Sequence, residues 1–366
     1  MIDERLIMLL YGLAAAFFLL FIIGLLRNLG MRSREKHSIK DSDAIKSSIN
    51  KFIGGTEKEY RTGLLVFIRE TLDNNHIYRS MVDKFLLETL ENPDLDNRQR
   101  FIAVAIHLGF PAECLAQVKS WNPGITALGS RRAGLYNIKE AVKDMESALD
   151  SFSSENQFEI LMALARMGGA ETLQRAFEKI SNRVLVNERG IIQILSVFPD
   201  GEEKQTLFKR MIHGNTEYLA ALFLKAVTAD IAGALAADIE MVFGQGGKEV
   251  RASAVRAIAS LGNEAPAQML VEAMEDKDWE VRALAAKALG PVSEDKTSMA
   301  LYLALYDLQW WVRQNAANAL AKHHGYETLF ILAAESGDKY ARDSVIAALG
   351  NGANPALLES LKMMAA

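Results

Sequence analysis

The sequence holds one cysteine, Cys114, so an internal disulfide is impossible and a cysteine-rich metal site is excluded. That usage fits a reducing compartment such as the cytosol. Proline is scarce, at seven in 366 residues. β-Branched runs are short while Ala and Leu dominate, a composition that favours helix over sheet. Chemical motifs are missing as well. No G-x-x-x-x-G-K-[ST] or G-x-S-x-G occurs, which leaves phosphate cradles and nucleophile elbows unsupported. None of the six histidines (His37, His76, His107, His213, His323, His324) is followed by Glu or sits in H-E-x-x-H. His323-His324 is their only cluster. Adjacent helical positions point about 100° apart, a poor geometry for a shared metal, so the pair reads as a surface turn. Cys114, within PAECLAQV, reads as a small buried hydrophobe and not as a nucleophile. The expectation is therefore no enzyme, no catalytic residue, no metal and no cofactor.

Positive charge is lacking where nucleic acid would need it. The net charge is −5. Residues 1–40 carry six Lys/Arg against three Asp/Glu, leaving 35 against 43 in the remainder. An acidic main body argues against a nucleic-acid partner, which requires a basic footprint.

One long hydrophobic run is present. Leu6 to Leu26 (LIMLLYGLAAAFFLLFIIGLL) is 21 residues without a charge. As a helix it would be about 31 Å long, matching a hydrocarbon core of about 30 Å. A cleavable signal peptide would need a basic leader, a shorter apolar region and a small-residue cleavage site. Here the leader is the acidic MIDER and the following segment is RNLGMRSREK, so an uncleaved anchor is expected. Arg27, Arg32, Arg34 and Lys36 follow the run closely, which by the positive-inside rule places that side in the cytosol. The same basic residues are placed to meet anionic headgroups of the lipid bilayer. The predicted topology is single-pass in the inner membrane, with the N-terminus outside. Gly12 and Ala16 form a small-xxx-small pair that permits close helix pairing, and with it a homo-oligomer.

The C-terminal half is periodic. VRASAVRAI (250–258), VRALAAKAL (281–289) and VRQNAANAL (312–320) place Arg251, Arg282 and Arg313 31 residues apart, and ARDSVIAAL (341–349) places Arg342 29 further on. Small residues recur three and six positions after each arginine: Ala254 and Ala257, Ala285 and Ala288, Ala316 and Ala319, Val345 and Ala348. Ile258, Leu289, Leu320 and Leu349 follow at seven. These spacings fall on one helical face. A second apolar helix follows each copy: AQMLVEAM (267–274), MALYLALY (299–306), ETLFILAA (327–334) and PALLESLKMM (355–364). Gly262, Gly290, Gly325 and Gly350 lie between the paired helices. Two helices per unit of about 31 residues define a solenoid repeat.

The unit D-x-x-x-x-V-R-x-x-A-x-x-A-L resembles the HEAT repeat in its short, HEAT-like form. Asp276 precedes Arg282 by six residues and Asp307 precedes Arg313 by six. The resemblance implies that such Asp and Arg residues tie neighbouring repeats into a ladder, which makes the arginines structural. The first copy departs from the pattern, with Gly246-Gly247 ahead of Lys248 and no matching Asp. The whole layout is similar to bacterial membrane-anchored HEAT-repeat proteins. The expected fold is all-α: a short N-terminus (1–5), a transmembrane helix (6–26), a basic juxtamembrane linker (27–50), a helical spacer with degenerate repeats (51–150) and an α-solenoid of HEAT-like pairs (151–366). By the same resemblance the function is a membrane-tethered scaffold that assembles or regulates a protein partner. That partner would be membrane-associated, in envelope or exopolysaccharide machinery, and membrane glycosyltransferases are among the candidates. A HEAT-like lyase acting on a bilin-type chromophore is the alternative. The iron-dependent hydroxylase built from such repeats uses His-Glu pairs, which this sequence lacks.

Candidate docking residues are those where the repeat breaks its own pattern. Two positions before each arginine stand Glu249, Glu280, Trp311 and Tyr340. If the glutamates mark a solvated position, Trp311 and Tyr340 are exposed aromatics on adjacent units, the kind enriched in interface hot spots; the alternative is that both fold into the seam between repeats. Trp279 and Trp310, one residue earlier, are expected in the seam between repeats. A solenoid normally ends in a polar cap. The last helix, ALLESLKMMAA, has only Glu359, Ser360 and Lys362 as polar residues, so Leu361, Met363 and Met364 are expected to meet a partner or a second copy.

Overall fold

The computed structural model describes residues 43–73, 76–92, 95–150, 154–180, 188–214, 216–350 and 354–365. The expected membrane helix 6–26 and the flanking Arg27, Arg32, Arg34 and Lys36 lie outside them. Among the described residues there is helix and no strand, as the Ala- and Leu-rich composition predicts. The chain forms two compact units, Met1–Ala141 and Val142–Ala366.

The first unit contains α1 (residues 43–53), α2 (Glu57–Asp73), α3 (His76–Leu90), α4 (Arg98–His107), α5 (Phe110–Val118) and α6 (Pro123–Leu135). Among the described residues no single helix is long and apolar enough to cross a membrane; α4 and α5 pass only as a pair bent by 81°. Their apolar residues are spent on the unit's own core, where Phe101, Ile102, Val104, Phe110, Cys114 and Val118 are buried. Burial pushes the Cys114 thiol up to about 12, so it stays a neutral thiol. α5 and α6 approach closely because Gly129 has no side chain: a Cβ there would lie 2.6 Å from Gln117 Cβ and 2.8 Å from the Val118 nitrogen. Asn122 starts α6, its side chain accepting from the N–H groups of Gly124 and Ile125, with Pro123 in the first turn. A buried polar network closes this core. Arg132 donates to Asp83 at 3.0 Å, Glu113 at 3.2 Å and Gln117 at 2.8 Å, while the Tyr136 hydroxyl donates to Asp83 at 2.6 Å. The Arg132 charge is thus paired, the condition under which buried charge is tolerated, although its Nε is buried without a hydrogen-bond partner.

The second unit begins with α7 (Val142–Ala148), which packs on α8 (Ser154–Met167). Gln157 on α8 donates to the Leu149 carbonyl, and Arg175 on α9 (Ala170–Ile180) reaches Glu146. Then come α10 (Glu188–Ser196), α11 (Glu202–Ile212), α12 (Glu217–Lys225), α13 (Ala229–Ala234) and α14 (Ala236–Gln245). The regular pairs follow: α15 (Lys248–Ala259) with α16 (Ala267–Ala273), α17 (Trp279–Ala288) with α18 (Asp295–Ala304), α19 (Trp310–Leu320) with α20 (Tyr326–Glu335), and α21 (Lys339–Leu349) with α22 (Pro355–Ala365). First helices stack on first helices, α15 on α17 on α19 on α21, and second helices on second helices, α16 on α18 on α20 on α22. The result is two helical layers around one continuous core.

The periodic residues explain this stacking. Ala254, Ala257, Ala285, Ala288, Ala316, Ala319, Val345 and Ala348 are all buried, as are Ile258, Leu289, Leu320 and Leu349. Small side chains let neighbouring first helices come together, and the large residue one turn on fills the layer beneath. Gly325 starts α20 with φ +72°, a conformation that favours glycine.

Charged rungs join successive repeats. Arg251 donates to both carboxylate oxygens of Asp276, at 2.6 and 3.1 Å, and to Asp278 at 2.6 Å. Arg282 repeats the bidentate contact with Asp307 at 2.7 and 3.1 Å and donates to the Asp276 carbonyl at 2.8 Å. Asp276 and Asp307 also accept from the N–H groups of Asp278 and Gln309, so each carboxylate fixes the entry to the following first helix.

His323 corrects the reading of the His-His pair as a surface turn. It is buried, with Nε2 2.9 Å from the Leu289 carbonyl and Nδ1 2.9 Å from the Ser298 hydroxyl. A carbonyl only accepts, so Nε2 carries the proton and donates. The ring thereby staples the end of α17 to the start of α18, while His324 is exposed.

Candidate functional site

The ladder stops at the third arginine. Six residues before Arg342, where Asp276 and Asp307 precede their arginines, the sequence has Ser336. Among the described residues Arg313 makes no ion pair. It donates to the carbonyls of Asp307 at 2.7 Å and Leu308 at 3.0 Å, and its guanidinium lies 5.0 Å from the centre of the Tyr340 ring. Its Nε is buried without a hydrogen-bond partner. An aromatic face has thus taken the place of a carboxylate, a cation–π contact in place of an ion pair.

Around this broken rung the surface becomes apolar. Leu308 is 93% exposed, Trp310 50%, Trp311 56% and Tyr340 64%. Trp310 and Trp311 meet edge to face, with ring centroids 4.6 Å apart. Leu308 ends the loop from α18, the two tryptophans open α19, and Tyr340 lies in the first turn of α21, the neighbouring first helix. Asp338 anchors that turn by accepting from the N–H groups of Tyr340 and Ala341. The cluster therefore sits on the edge of two adjacent repeats, at the starts of α19 and α21, the second of them capped by Asp338.

Trp311 and Tyr340 stand exposed on adjacent units. Trp310 does not lie in the seam where the sequence reading put it. Successive helical positions turn by about 100°, and the inward direction is taken by Val312 and Arg313, both buried. Trp279, at the equivalent position one repeat earlier, is half-buried. At the other candidate site Leu361 requires a correction. It is fully buried with Leu357 on the face of α22 that packs on α20 and α21. Four residues apart, these two leucines share one helical face. Only Met363 and Met364 face out, beside a shallow hollow of about 390 Å³ lined also by Ala356, Glu359 and Ser360.

The second helices hold a feature that the sequence reading missed. Met299 and Leu303 on α18 and Leu332 on α20 are exposed. Val271 and Met274 face the first two across an open groove of about 590 Å³ between α16 and α18. Residues 299–306, MALYLALY, are apolar around the whole helix, so periodicity alone does not say which side is buried. Among the described residues no three His, Cys, Asp or Glu side chains converge to hold a metal ion.

Stacked helix pairs joined by arginine–aspartate rungs define an α-helical repeat protein. Residues 241–321 match the family described as HEAT repeats. No curated protein matches the sequence. Solved structures similar to it include human deoxyhypusine hydroxylase in complex with glycerol, at 14% identity over 78% of this chain and 100% of that one, with a TM-score of 0.28. Two engineered proteins are similar at 16% and 15% identity, over 85% and 70% of this chain and 84% and 97% of theirs, each with a TM-score of 0.26.

Proposed function

We propose that this chain is a membrane-tethered scaffold, not an enzyme, and that it holds a protein partner at the cytoplasmic face of the inner membrane. HEAT repeats suggest a protein-interaction scaffold. The observation that carries the choice of site is the exposed cluster of Leu308, Trp310, Trp311 and Tyr340 at the place where the rung pattern fails. Three large aromatic side chains and a leucine at the starts of two neighbouring helices match the composition of interface hot spots. The ladder arginines are not the site: Arg251 and Arg282 are committed to Asp276, Asp278 and Asp307.

The partner in this reading offers apolar side chains to the cluster and belongs to a membrane complex, with glycosyltransferases of envelope or exopolysaccharide machinery as the candidate class. The uncharged run 6–26 and the basic residues behind it support the tether. The experiment is purification of the full chain from its native membranes in mild detergent, followed by mass spectrometry, beside the Trp311→Glu/Tyr340→Glu variant. A stoichiometric membrane protein present with the parent and absent with the variant supports the proposal. A partner retained by both would move the site elsewhere, and a bound chromophore would favour the lyase reading.

A further inference from the structure

The first unit presents a second apolar surface that the scaffold reading does not use. Trp121 is 99% exposed in the loop between α5 and α6. Ile125 and Leu128, four and seven residues on, are exposed on the outer side of α6. Ile125 and Leu128, three apart on α6, share one helical face, and Trp121 stands in the turn that opens that helix. Pro123 and the Asn122 cap hold the turn that carries Trp121. A tryptophan on a structured turn with no intramolecular cover is not core material.

The electrostatics of the face are one-sided. From Lys119 to Leu135 there is no acidic residue, and Lys119 is exposed. Glu113 on α5 is paired with Arg79 and Arg132, and Glu91 with Arg131 on α6, while the exposed Glu140 lies in the short turn of helix that follows α6. A Trp–Ile–Leu face on a segment without acidic residues suits the headgroup level of a bilayer, where tryptophan is enriched and anionic lipid repels acid. Reach agrees. Sixteen residues separate Leu26, the end of the uncharged run, from the start of α1 at Asp43. Fully extended they span no more than about 60 Å, so this unit cannot leave the vicinity of a membrane that holds residues 6–26.

We infer that Trp121, Ile125 and Leu128 form a membrane-interface contact that docks the first unit on the lipid surface. The inference rests on the tethered reading above, and the experiment separates the two. In the full chain, Trp279→Phe, Trp310→Phe and Trp311→Phe leave Trp121 as the sole tryptophan. The protein is reconstituted in nanodiscs of phosphatidylethanolamine and phosphatidylglycerol, with and without brominated acyl chains. The expected result is a blue-shifted emission that brominated lipid quenches. Both effects should vanish in Ile125→Glu/Leu128→Glu, whose exposed positions leave the melting temperature unchanged. A solvent-like, unquenched emission overturns the inference, and so does a shielded emission that brominated lipid does not quench, because a protein surface then covers the face. Alkaline carbonate extraction of native membranes tests the tether separately. Release of the chain refutes the anchor. If Trp121 is nevertheless quenched on vesicles of the same lipids, the surface contact stands without it.

Discussion

Removing Asp307 probes the ladder most sharply. Its carboxylate accepts from Arg282 Nε at 2.7 Å and Nη2 at 3.1 Å and from the Gln309 N–H at 2.8 Å. The two side chains of the pair are only 13% and 18% exposed. In Asp307→Ala, Arg282 keeps the carbonyls of Asp276 and Lys277 but loses its counter-ion, and the loop entering α19 loses its anchor. Breaking a buried pair by truncating one partner costs about 3–5 kcal/mol, whereas an exposed pair contributes about 0–1 kcal/mol. This rung lies between those limits, and the lost backbone contact adds to it, so about 2–3 kcal/mol is expected. For a unit of this size that is a fall in melting temperature of about 5–10 °C. Differential scanning calorimetry reads the total, and hydrogen exchange should show the loss concentrated at the start of α19. The double cycle with Arg282→Ala isolates the pair, since the two single effects will not add. An Asp307→Ala variant that melts within a degree of the parent, with unchanged exchange at α19, would refute the structural reading of the rungs.

Acid should weaken the array through the same contacts. Burial alone would raise Asp276 and Asp307, but the arginine hydrogen bonds and charges and the N–H groups of Asp278 and Gln309 hold both below their ordinary value. A carboxyl depressed in the folded state stabilises fully above its unfolded value, so the melting temperature should be flat above about pH 4 and fall as pH drops through the folded values. In Asp307→Ala that fall should be shallower. His323→Ala should cost about 1–3 kcal/mol in chemical denaturation, because it leaves the Leu289 carbonyl and the Ser298 hydroxyl without their partner, whereas His324→Ala should be silent. Equal effects at the two histidines would show that the ring bonds contribute nothing.

Much of the array was legible because repetition multiplies a weak signal. A single Ala at a given helical position says little, but the same small-residue spacing behind four arginines fixes a face, and that face is buried in every copy. Resemblance marks these arginines and aspartates as ladder residues, while the pairings Arg251–Asp276 and Arg282–Asp307, each 25 residues apart, come from the structure. What was not legible depends on three-dimensional competition. Trp310 was expected inside, yet Val312 and Arg313 occupy the inward direction at the start of α19. Leu361 looked like part of an uncapped end, yet its i, i+4 partner Leu357 turns it into the core. His323 carries no sequence mark of its two hydrogen bonds, because Leu289 and Ser298 belong to the preceding repeat. The cation–π contact of Arg313 with Tyr340 could be sought only at the place where Ser336 replaces the expected aspartate.

The claim that the exposed aromatic edge, and not the charged ladder, serves the scaffold is tested most directly by pairing stability with partner capture in one set of variants. Trp311→Glu/Tyr340→Glu is to be compared with Asp307→Ala in the full chain, by melting temperature and by quantitative mass spectrometry of the membrane complex. Tyr340→Glu removes a cation–π contact worth about 0.5–1 kcal/mol but sets a carboxylate near Arg313, so little net change in stability is expected. The account predicts that the aromatic variant melts near the parent and loses its stoichiometric partner, while Asp307→Ala melts lower and, below its transition, keeps it. An aromatic variant that retains the partner, or one that melts as low as Asp307→Ala, would contradict the account.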